Sequence, residues 1–315
     1  SYLFDNRGYC KIDGLTVISE ISYKRWLTRD GQEMEAINIK IDGFHYLQIN
    51  NSNYENYEAS NITVCVLYGG NTIRNASHKK GFYGFGIRET GDIENLQIIN
   101  CTYALYFDLR YLSDKVTIEN IQIINCDDDI RYNLGTKTGT VNIINSRFDP
   151  TSEQMTGNYQ GAIATLNLQN YFQIYIQNAA NASATLKDQN GNEIISGTLD
   201  SEGKWLLDDP VTWVQRYLET AGGELVENQL NYYEPFTLEV KKAGYQDLTI
   251  PNIYSSIYDS EKDKRIGSLE DTVVEGQMAK PQYINSTIHG KITTPVIEGA
   301  IDKQKVKGSI TSIKI

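Results

Sequence analysis

The sequence predicts an all-β protein in three parts: a stack of β coils, a region of paired strands and a repetitive β tail. Three observations support this fold class. Two nearly identical segments recur 25 residues apart in the first half. The middle alternates apolar and polar residues between turn sequences, and pentapeptides with a central glycine recur every nine residues near the end. None of these patterns has the 3.6-residue period of an amphipathic helix.

The composition of the chain excludes several classes of protein. A length of 315 residues allows two or three domains. With 40 % hydrophobic and 22 % charged residues, the chain fits neither a disordered nor a membrane-spanning protein. No apolar run reaches the ~18–20 residues that cross a bilayer. The net charge of −11 disfavours nucleic acid as a partner and membrane insertion.

The repeats of the first half predict stacked coils. The segment Ile93–Cys101 recurs as Ile118–Cys126, with apolar residues at alternating positions. One coil cannot bury its inward apolar row alone, so neighbouring coils about 4.8 Å apart must cover that row and pair its backbone. Weaker copies are Ile12–Ser19, Ile41–Leu47, Thr72–Asn75 and Val141–Ser146.

This repeat predicts which side chains lie above one another. Ile98 should lie over Ile123 in the core. The asparagines that end three of the copies should share one corner of the coil, where their amides can hydrogen-bond along the stack. These residues are Asn100, Asn125 and Asn145.

The four cysteines form no metal-binding pattern, because none stands in a Cys-x-x-Cys motif. Cys101 and Cys126 should lie side by side in adjacent coils, either as two buried thiols or as a disulfide or reactive pair. Parallel neighbouring strands offer poor bridging geometry, which favours the thiols. Six Asn-x-Ser/Thr sequons and a start at Ser1 without methionine suggest a secreted chain that is a processed form or a fragment.

The coils and their asparagine corners resemble the right-handed parallel β-helix of the pectate-lyase-like superfamily. The resemblance covers residues 1–150, which we expect to form this domain, with a linker at 151–163. It implies a fold rather than an activity, since that scaffold carries lyases, hydrolases, phage tailspikes and non-catalytic adhesins.

The next region predicts a β-sandwich over residues 164–255. Clean alternation in Phe172–Ile176 and Ala184–Lys187 is typical of strands, and the Asn190-Gly191 pair is a hairpin turn. The order of strands and turns up to Phe236–Tyr245 resembles the carboxypeptidase regulatory-like (transthyretin-like) sandwich. The resemblance implies an accessory or spacer role rather than catalysis.

The remaining residues, 256–315, are predicted to be a repetitive tail that drives assembly. Five strand residues and four turn residues make too small a loop to enclose a core, so we expect a meander or strands shared between chains. The residues predicted to mediate assembly are Ile288, Gly290, Ile292, Ile297, Gly299, Ile301, Val306, Gly308 and Ile310.

The strongest candidates for chemistry are Asp127, Asp128, Asp129 and Arg131, which follow a coil corner. Pectate lyases use aspartate-bound calcium and a basic residue that abstracts a proton, whereas hydrolases on this scaffold need two or three carboxylates around one bond. Because successive residues of a strand point to opposite faces, at most two of the three aspartates can share the outside. A solvated acidic turn or a structural calcium site at these aspartates is favoured over catalysis.

Tyrosine is common, with 22 residues, and its ring suits the face of a pyranose. Tyr83, Tyr103 and Tyr106 are the candidates for glycan binding, with packing against neighbouring loops as the alternative. The sequence therefore favours a non-enzymatic structural or adhesion protein on a cell or virion surface. Its expected partners are copies of itself, as a trimer or an open filament, and a glycan. The alternative is a polysaccharide lyase or a tailspike-type depolymerase. No cofactor is expected other than structural calcium at the three aspartates.

Overall fold

The computed structural model of the chain describes residues 2–6, 9–18, 25–28, 34–42, 44, 46–50, 53–60, 64–68, 71–79, 83–87, 91–108, 115–134, 138–157, 161–222 and 224–281. Regular secondary structure within these residues is entirely β, with no helix. The predicted all-β fold class is confirmed, as is the parallel β-helix.

Two long parallel sheets form the solenoid. One has eight strands in the order β1-β4-β7-β10-β12-β14-β16-β18, and the other runs along β2-β5-β8-β11-β13-β15-β17-β19. Successive coils therefore stack strand upon strand. The strands are β1 (Tyr2–Asn6), β2 (Cys10–Asp13), β3 (Thr16–Ile18), β4 (Arg25–Thr28), β5 (Met34–Ile37), β6 (Lys40–Asp42), β7 (Tyr46–Asn50), β8 (Asn53–Glu55), β9 (Glu58–Ser60), β10 (Val64–Tyr68), β11 (Asn71–Lys79), β12 (Tyr83–Ile87), β13 (Gly91–Ile99), β14 (Tyr103–Asp108), β15 (Lys115–Ile124), β16 (Asp128–Leu134), β17 (Thr138–Ile144), β18 (Glu153–Gly157) and β19 (Ile163–Asn170).

The core of the solenoid is built from aliphatic side chains stacked in register. Leu96 lies beside Ile121 and Ile98 beside Ile123, in the parallel pairing of β13 with β15. The predicted register is confirmed. Burial is unequal, however: Ile98 and Ile121 are fully buried, whereas Ile123 is half-buried. Each fully buried aliphatic side chain contributes roughly 1.5–3 kcal/mol.

Asparagine occupies two different corners of the coil. Asn100 and Asn125 form one, with left-handed φ values of 54° and 51°. Asn95 and Asn120 form the other, and the pairing of β15 with β17 adds Asn145 to this second corner. The prediction that Asn145 joins Asn100 and Asn125 is therefore wrong. It follows Asn125 by only 20 residues, whereas the coil between β15 and β17 is 25 residues long.

The left-handed corners explain why asparagine recurs there, since it tolerates positive φ better than most residues other than glycine. An amide ladder links the early coils. Asn56 Nδ2 donates to Asn38 Oδ1 at 3.1 Å, and Asn38 Nδ2 donates to Asp13 Oδ1 at 2.9 Å. Each asparagine amide supplies a donor and an acceptor, so the ladder passes from coil to coil and ends at the Asp13 carboxylate, which only accepts.

The segment 151–163, predicted as a linker, carries solenoid structure. β18 pairs in parallel with β16, and β19 pairs in parallel with β17. The linker prediction is thus wrong, and the solenoid continues to Asn170. A strand at this position needs backbone partners more than apolar side chains of its own, which is how a polar segment can form β18.

The second part begins where β19 also pairs antiparallel with β24, which pairs in turn with β25. Beyond this hairpin lie a three-stranded sheet, β23-β20-β30, a four-stranded sheet, β22-β21-β26-β27, and the small hairpin of β28 and β29. The strands are β20 (Phe172–Gln177), β21 (Ser183–Lys187), β22 (Glu193–Thr198), β23 (Lys204–Leu206), β24 (Val211–Ala221), β25 (Glu224–Tyr232), β26 (Phe236–Lys241), β27 (Leu248–Ile253), β28 (Ile257–Asp259), β29 (Lys264–Ile266) and β30 (Thr272–Gln277).

The three-stranded and four-stranded sheets pack face to face. The rings of Phe172 and Phe236 meet edge to face with centroids 5.5 Å apart. A Cβ on Gly197 would lie 2.7 Å from Trp205, and one on Gly276 would lie 2.8 Å from a methyl group of the opposite sheet. The glycines therefore let the two layers approach closely. We call this pair of sheets the two-layer unit.

The two-layer unit extends beyond residue 255, where the tail was predicted to begin. β30 pairs along its whole length with β20. The predicted boundary is therefore wrong, because 256–281 belongs to the folded unit. Residues 282–315, including all nine predicted assembly residues, lie outside the described residues.

The two-layer unit is fastened to the last coils of the solenoid. Asn145 Nδ2 donates to Asp271 Oδ1 at 2.6 Å, and Asn170 Nδ2 donates to the carbonyl oxygen of Glu270 at 2.9 Å. A Cβ on Gly267 would lie only 2.1 Å from a solenoid backbone oxygen. Corner asparagines and a close backbone approach thus join the two parts.

Candidate functional site

The acidic turn Asp127–Asp129 lies at the coil corner where the sequence places it. The backbone N–H of Asp127 donates to the oxygen of Cys101 at 3.2 Å, and that of Asp128 donates to the oxygen of Thr102 at 3.0 Å. The turn is therefore held against the preceding coil. Asp127 is exposed, Asp128 is half-buried and Asp129 is only 6 % exposed, so the three side chains occupy different environments.

Asp129 is the chemically unusual member of the turn. Its Oδ2 accepts the backbone N–H of Asp149 at 2.6 Å, and its own N–H donates to Ser152 Oγ at 3.0 Å. Burial raises the pKa of Asp129 to about 6, since the ionised form loses its hydration, and the hydrogen bond from Asp149 only partly opposes this shift. The neighbouring carboxylate of Asp149 raises this pKa further.

Asp149 is a buried carboxylate that the sequence analysis did not single out. It is 3 % exposed, and its Oδ2 lies 2.7 Å from Lys264 Nζ and 3.5 Å from Lys262 Nζ. Its Oδ1 accepts the N–H and the hydroxyl of Thr151. Burial by itself would raise the pKa of Asp149, but the hydrogen bonds from Lys264 and Thr151 outweigh it and hold the pKa below its usual range.

The local sequence carries one hint of this arrangement, because Asp149-Pro150-Thr151 reads as an Asx-type turn. The two lysines are more than 110 residues away along the chain, so sequence spacing could not place them. We call the group of Asp129, Asp149, Lys262 and Lys264 the junction cluster, since it joins the solenoid to the two-layer unit.

The guanidinium of Arg131 lies over the ring of Tyr103, 4.6 Å from the centroid. This is a cation–π contact. The inward neighbours of Arg131, Ile130 and Tyr132, are buried in the core. Arg131 therefore faces outward on β16, where it packs on the ring of Tyr103.

Two of the three predicted glycan-binding tyrosines are largely buried. Tyr103 and Tyr106 are each 8 % exposed, and Asn133 Nδ2 donates to the hydroxyl of Tyr106 at 2.8 Å. The backbone of Tyr83 pairs with Tyr103 on β14, but its side chain lies outside the described part. A sugar stacks on an exposed ring face, which Tyr103 and Tyr106 do not offer.

The cysteines of the described coils are free thiols. Cys101 is buried and Cys126 is half-buried in the adjacent coil. A hydrogen bond between the two thiols, together with burial, raises the pKa of Cys126. The prediction of two adjacent free thiols is confirmed, but only Cys101 is fully buried as predicted. A raised pKa opposes thiolate reactivity.

Within the described ranges, no three His, Cys, Asp or Glu side chains come together as a group that could hold a metal ion. Asp127, Asp128 and Asp129 are thus not brought together as calcium ligands. Calcium binding at this turn stays a prediction that chelation can test.

A further buried carboxylate, Glu234, lies inside the two-layer unit and is 4 % exposed. It accepts the backbone N–H of Ser255 at 2.9 Å and that of Ser256 at 3.1 Å, as well as the Ser256 hydroxyl. Burial raises its pKa, and these hydrogen bonds oppose the shift. Because its oxygens are taken up by the chain, Glu234 orders the backbone before β28.

A solvent-open groove of about 400 Å³ lies on the three-stranded sheet. Tyr175 on β20 lies between Lys204 on β23 and Glu275 on β30, in register on both sides. Gln177 and Gln277 form the next row. The groove therefore combines a partly exposed aromatic ring with amides and charges of both signs, a set of side chains that the sequence analysis did not single out.

Comparison with protein-family models, with curated proteins and with solved structures finds no match to this chain. In the described part, no helix is long and apolar enough to cross a membrane.

Proposed function

We propose that this protein is a non-enzymatic structural and adhesion component of an extracellular surface, cellular or viral, which self-associates into a fibre, filament or surface layer. The observation that carries the proposal is that the buried polar groups hold two parts of the chain together. The junction cluster and the corner asparagines Asn145 and Asn170 fasten one β part to another. Such contacts join the solenoid and the two-layer unit into one continuous body, which suits a mechanical role.

The proposal also includes a relationship to two known families of β proteins. The parallel coils with asparagine corners support a relationship to the pectate-lyase-like β-helices. The two packed sheets, with the Asn190-Gly191 turn between β21 and β22, support a relationship to the carboxypeptidase regulatory-like sandwiches. In both cases the support is architectural, and it carries no activity with it.

Glycan binding is the adhesive part of the proposal, and the groove around Tyr175 is a better location for it than Tyr103 and Tyr106. Tyr175 is partly exposed, and the Gln177–Gln277 row can donate to and accept from sugar hydroxyls. Titration with neutral and acidic oligosaccharides, followed by calorimetry, tests this location. Binding should be lost in Tyr175→Ala and retained in Tyr217→Ala, a tyrosine on β24 away from the groove.

The alternative, a polysaccharide lyase or depolymerase, has less support. Glycosidases place two carboxyl groups about 5–9.5 Å apart with room for the sugar between them. Asp129 and Asp149 are instead buried, and their oxygens are occupied by backbone donors and lysines. Release of unsaturated uronate product, abolished in Arg131→Ala, would favour the lyase over the structural protein.

Self-association is tested by light scattering coupled to size-exclusion chromatography. The full chain should elute as an oligomer or a polymer, and removal of residues 284–315 should convert it to monomers. Far-UV circular dichroism serves as the control for folding of the shortened chain. If both chains are monomers at every concentration, the structural proposal fails.

A further inference from the structure

The longest unpaired edge among the described strands is β25. It ends the sheet path β19-β24-β25 and spans the nine residues Glu224–Tyr232. At its last residue, the carbonyl oxygen of Tyr232 already accepts Gln189 Nε2 at 2.5 Å. Every residue of β25 is exposed or half-exposed, and Val226 is 56 % exposed. An edge of this length presents a row of backbone donors and acceptors to another strand.

The edge is preorganised because its hairpin is fixed to the solenoid. β24 pairs with β19 along nearly its whole length, and Arg216 Nη1 donates to the oxygen of Pro150 at 2.9 Å. Thr220 Oγ1 accepts the backbone N–H of Ala162 at 2.9 Å. A strand that joins β25 would therefore pay little ordering cost on the receiving side.

The remaining edges of the two-layer unit are shorter or blunted. β22 and β30 have six residues each, β23 has three, and β27 contains Pro251, which lacks a backbone donor. β25 is the longest of these edge strands, and it contains no proline.

The charge of β25 indicates what kind of strand would pair with it. Glu224 and Glu227 lie on β25, which has no basic residue, and Glu219 of β24 pairs directly with Glu227. The edge is therefore acidic. A basic strand would relieve the repulsion between these carboxylates.

The segment 284–315 of this chain has the complementary chemistry. It carries five lysines against two carboxylates, in a protein whose net charge is −11. Its repeats around Gly290, Gly299 and Gly308 alternate apolar residues with small or polar ones, as in a strand. Both charge and pattern match the edge of β25.

We propose that residues 284–315 of a second copy of this chain add as a strand to the free edge of β25. This inference rests on the proposed self-association and names the surface that receives the tail. The last described residues lie beside the end of β20, where the carbonyl oxygen of Gln177 accepts the backbone N–H of Met278. The acidic residues Glu219 and Glu227 lie elsewhere, beside Ile163 at the start of β19. Head-to-tail addition of this kind, in which each copy gives one tail and receives another, makes an open filament or a closed ring.

The experiment uses two charge-reversed full-length variants. One reverses the edge, with Glu224→Lys and Glu227→Lys, and the other reverses the tail, with Lys303→Glu and Lys305→Glu. Glu224 is exposed and Glu227 is half-exposed, and circular dichroism serves as the control for folding of both variants. Each variant alone should associate at least tenfold more weakly than the wild-type chain in sedimentation velocity.

A mixture of the two variants should associate again, because the basic edge of one copy meets the acidic tail of the other. This rescue in trans distinguishes a second copy from a tail that folds back on its own β25, which would give no mixed species. The matched control reverses Glu193 on β22 and Asp247 just before β27, which are both exposed, and should leave association unchanged.

The outcomes separate the two proposals. If the wild-type chain associates but the edge-reversed variant associates equally well, the β25 inference is wrong and self-association stands. Rescue that is absent from the mixture also overturns it. A wild-type chain that is monomeric at every concentration overturns both. Val226→Lys, on the same edge, should weaken association as the charge reversal does.

Discussion

The replacement Asp129→Asn tests whether the buried carboxylate of Asp129 lowers the free energy of unfolding of the protein. The amide keeps an oxygen that can accept the Asp149 N–H, now at 2.6 Å, and it removes the negative charge. Asp129 is 6 % exposed, so its ionised carboxylate is poorly hydrated in the folded protein and regains its hydration only on unfolding. The replacement should therefore stabilise the protein wherever Asp129 is ionised.

The magnitude follows from the pKa of Asp129. A folded value of about 6 against 3.8 for the free side chain means that the folded protein binds the proton more tightly. The stability that this proton contributes is complete below about pH 4 and is lost as the pH rises through 6. Two pKa units correspond to ~3 kcal/mol, so Asp129→Asn should raise the free energy of unfolding by up to ~3 kcal/mol at pH 7.

The assay is urea unfolding followed by tryptophan fluorescence and circular dichroism between pH 4 and pH 8. The difference between variant and wild type should be small at pH 4 and grow to its full size above pH 6. Asp149→Asn is the matched control with the opposite sign. The pKa of Asp149 is lowered, so its contribution is present above its unfolded pKa and is lost as the pH falls.

Two results would refute this reasoning. The first is a variant Asp129→Asn that is less stable than the wild type at pH 7, by as much as at pH 4. The ionised carboxylate would then stabilise the folded protein instead of destabilising it. The other is a stabilising effect of Asp149→Asn at pH 7, since that carboxylate lies 2.7 Å from Lys264 Nζ.

Three further predictions concern the solenoid. Ile98→Ala should cost about 2–5 kcal/mol in urea unfolding and the half-buried Ile123→Ala clearly less, and equal losses would contradict the unequal burial of this pair. At Asn120, where φ is 55°, replacement by alanine should destabilise by about 1 kcal/mol or more while glycine is tolerated; the reverse order would remove the left-handed corner as the reason for asparagine. If calcium binds at Asp127–Asp129, chelation should lower the melting temperature and Asp128→Asn should abolish that response, whereas an unchanged melting temperature on chelation would leave the turn without calcium.

The repeat was the most informative part of the sequence, because stacked coils impose the same requirement on every copy. Ile98 over Ile123 followed directly from two segments of the same length. Asn145 was misplaced for a related reason: its copy was aligned by its letters, whereas the backbone aligns it by the 25-residue length of the coil. Local likeness and structural register agree only where the coil length is constant.

The junction cluster could be predicted only in part. Asp129 was singled out as a member of an acidic turn, but its burial depends on Asp149 and Ser152 from the next coil. The lysines that complete the cluster come from the hairpin of β28 and β29, which no local pattern links to the solenoid. Contacts across such distances arise from packing between parts of the chain, and spacing within one part carries no information about them.

By itself, the sequence determined the all-β class, the parallel stacking and the alternating core, because these depend on periodicity that one coil shows as well as the next. The tertiary structure alone decided that β18 and β19 continue the solenoid through a polar segment, and that Asn145 and Asn170 hold the loop before β30. It also decided that Tyr103 and Tyr106 are buried and that β25 is left as an open edge. Periodicity specifies which face of a strand is buried. The pairing of elements that are far apart in sequence depends instead on how the whole chain packs.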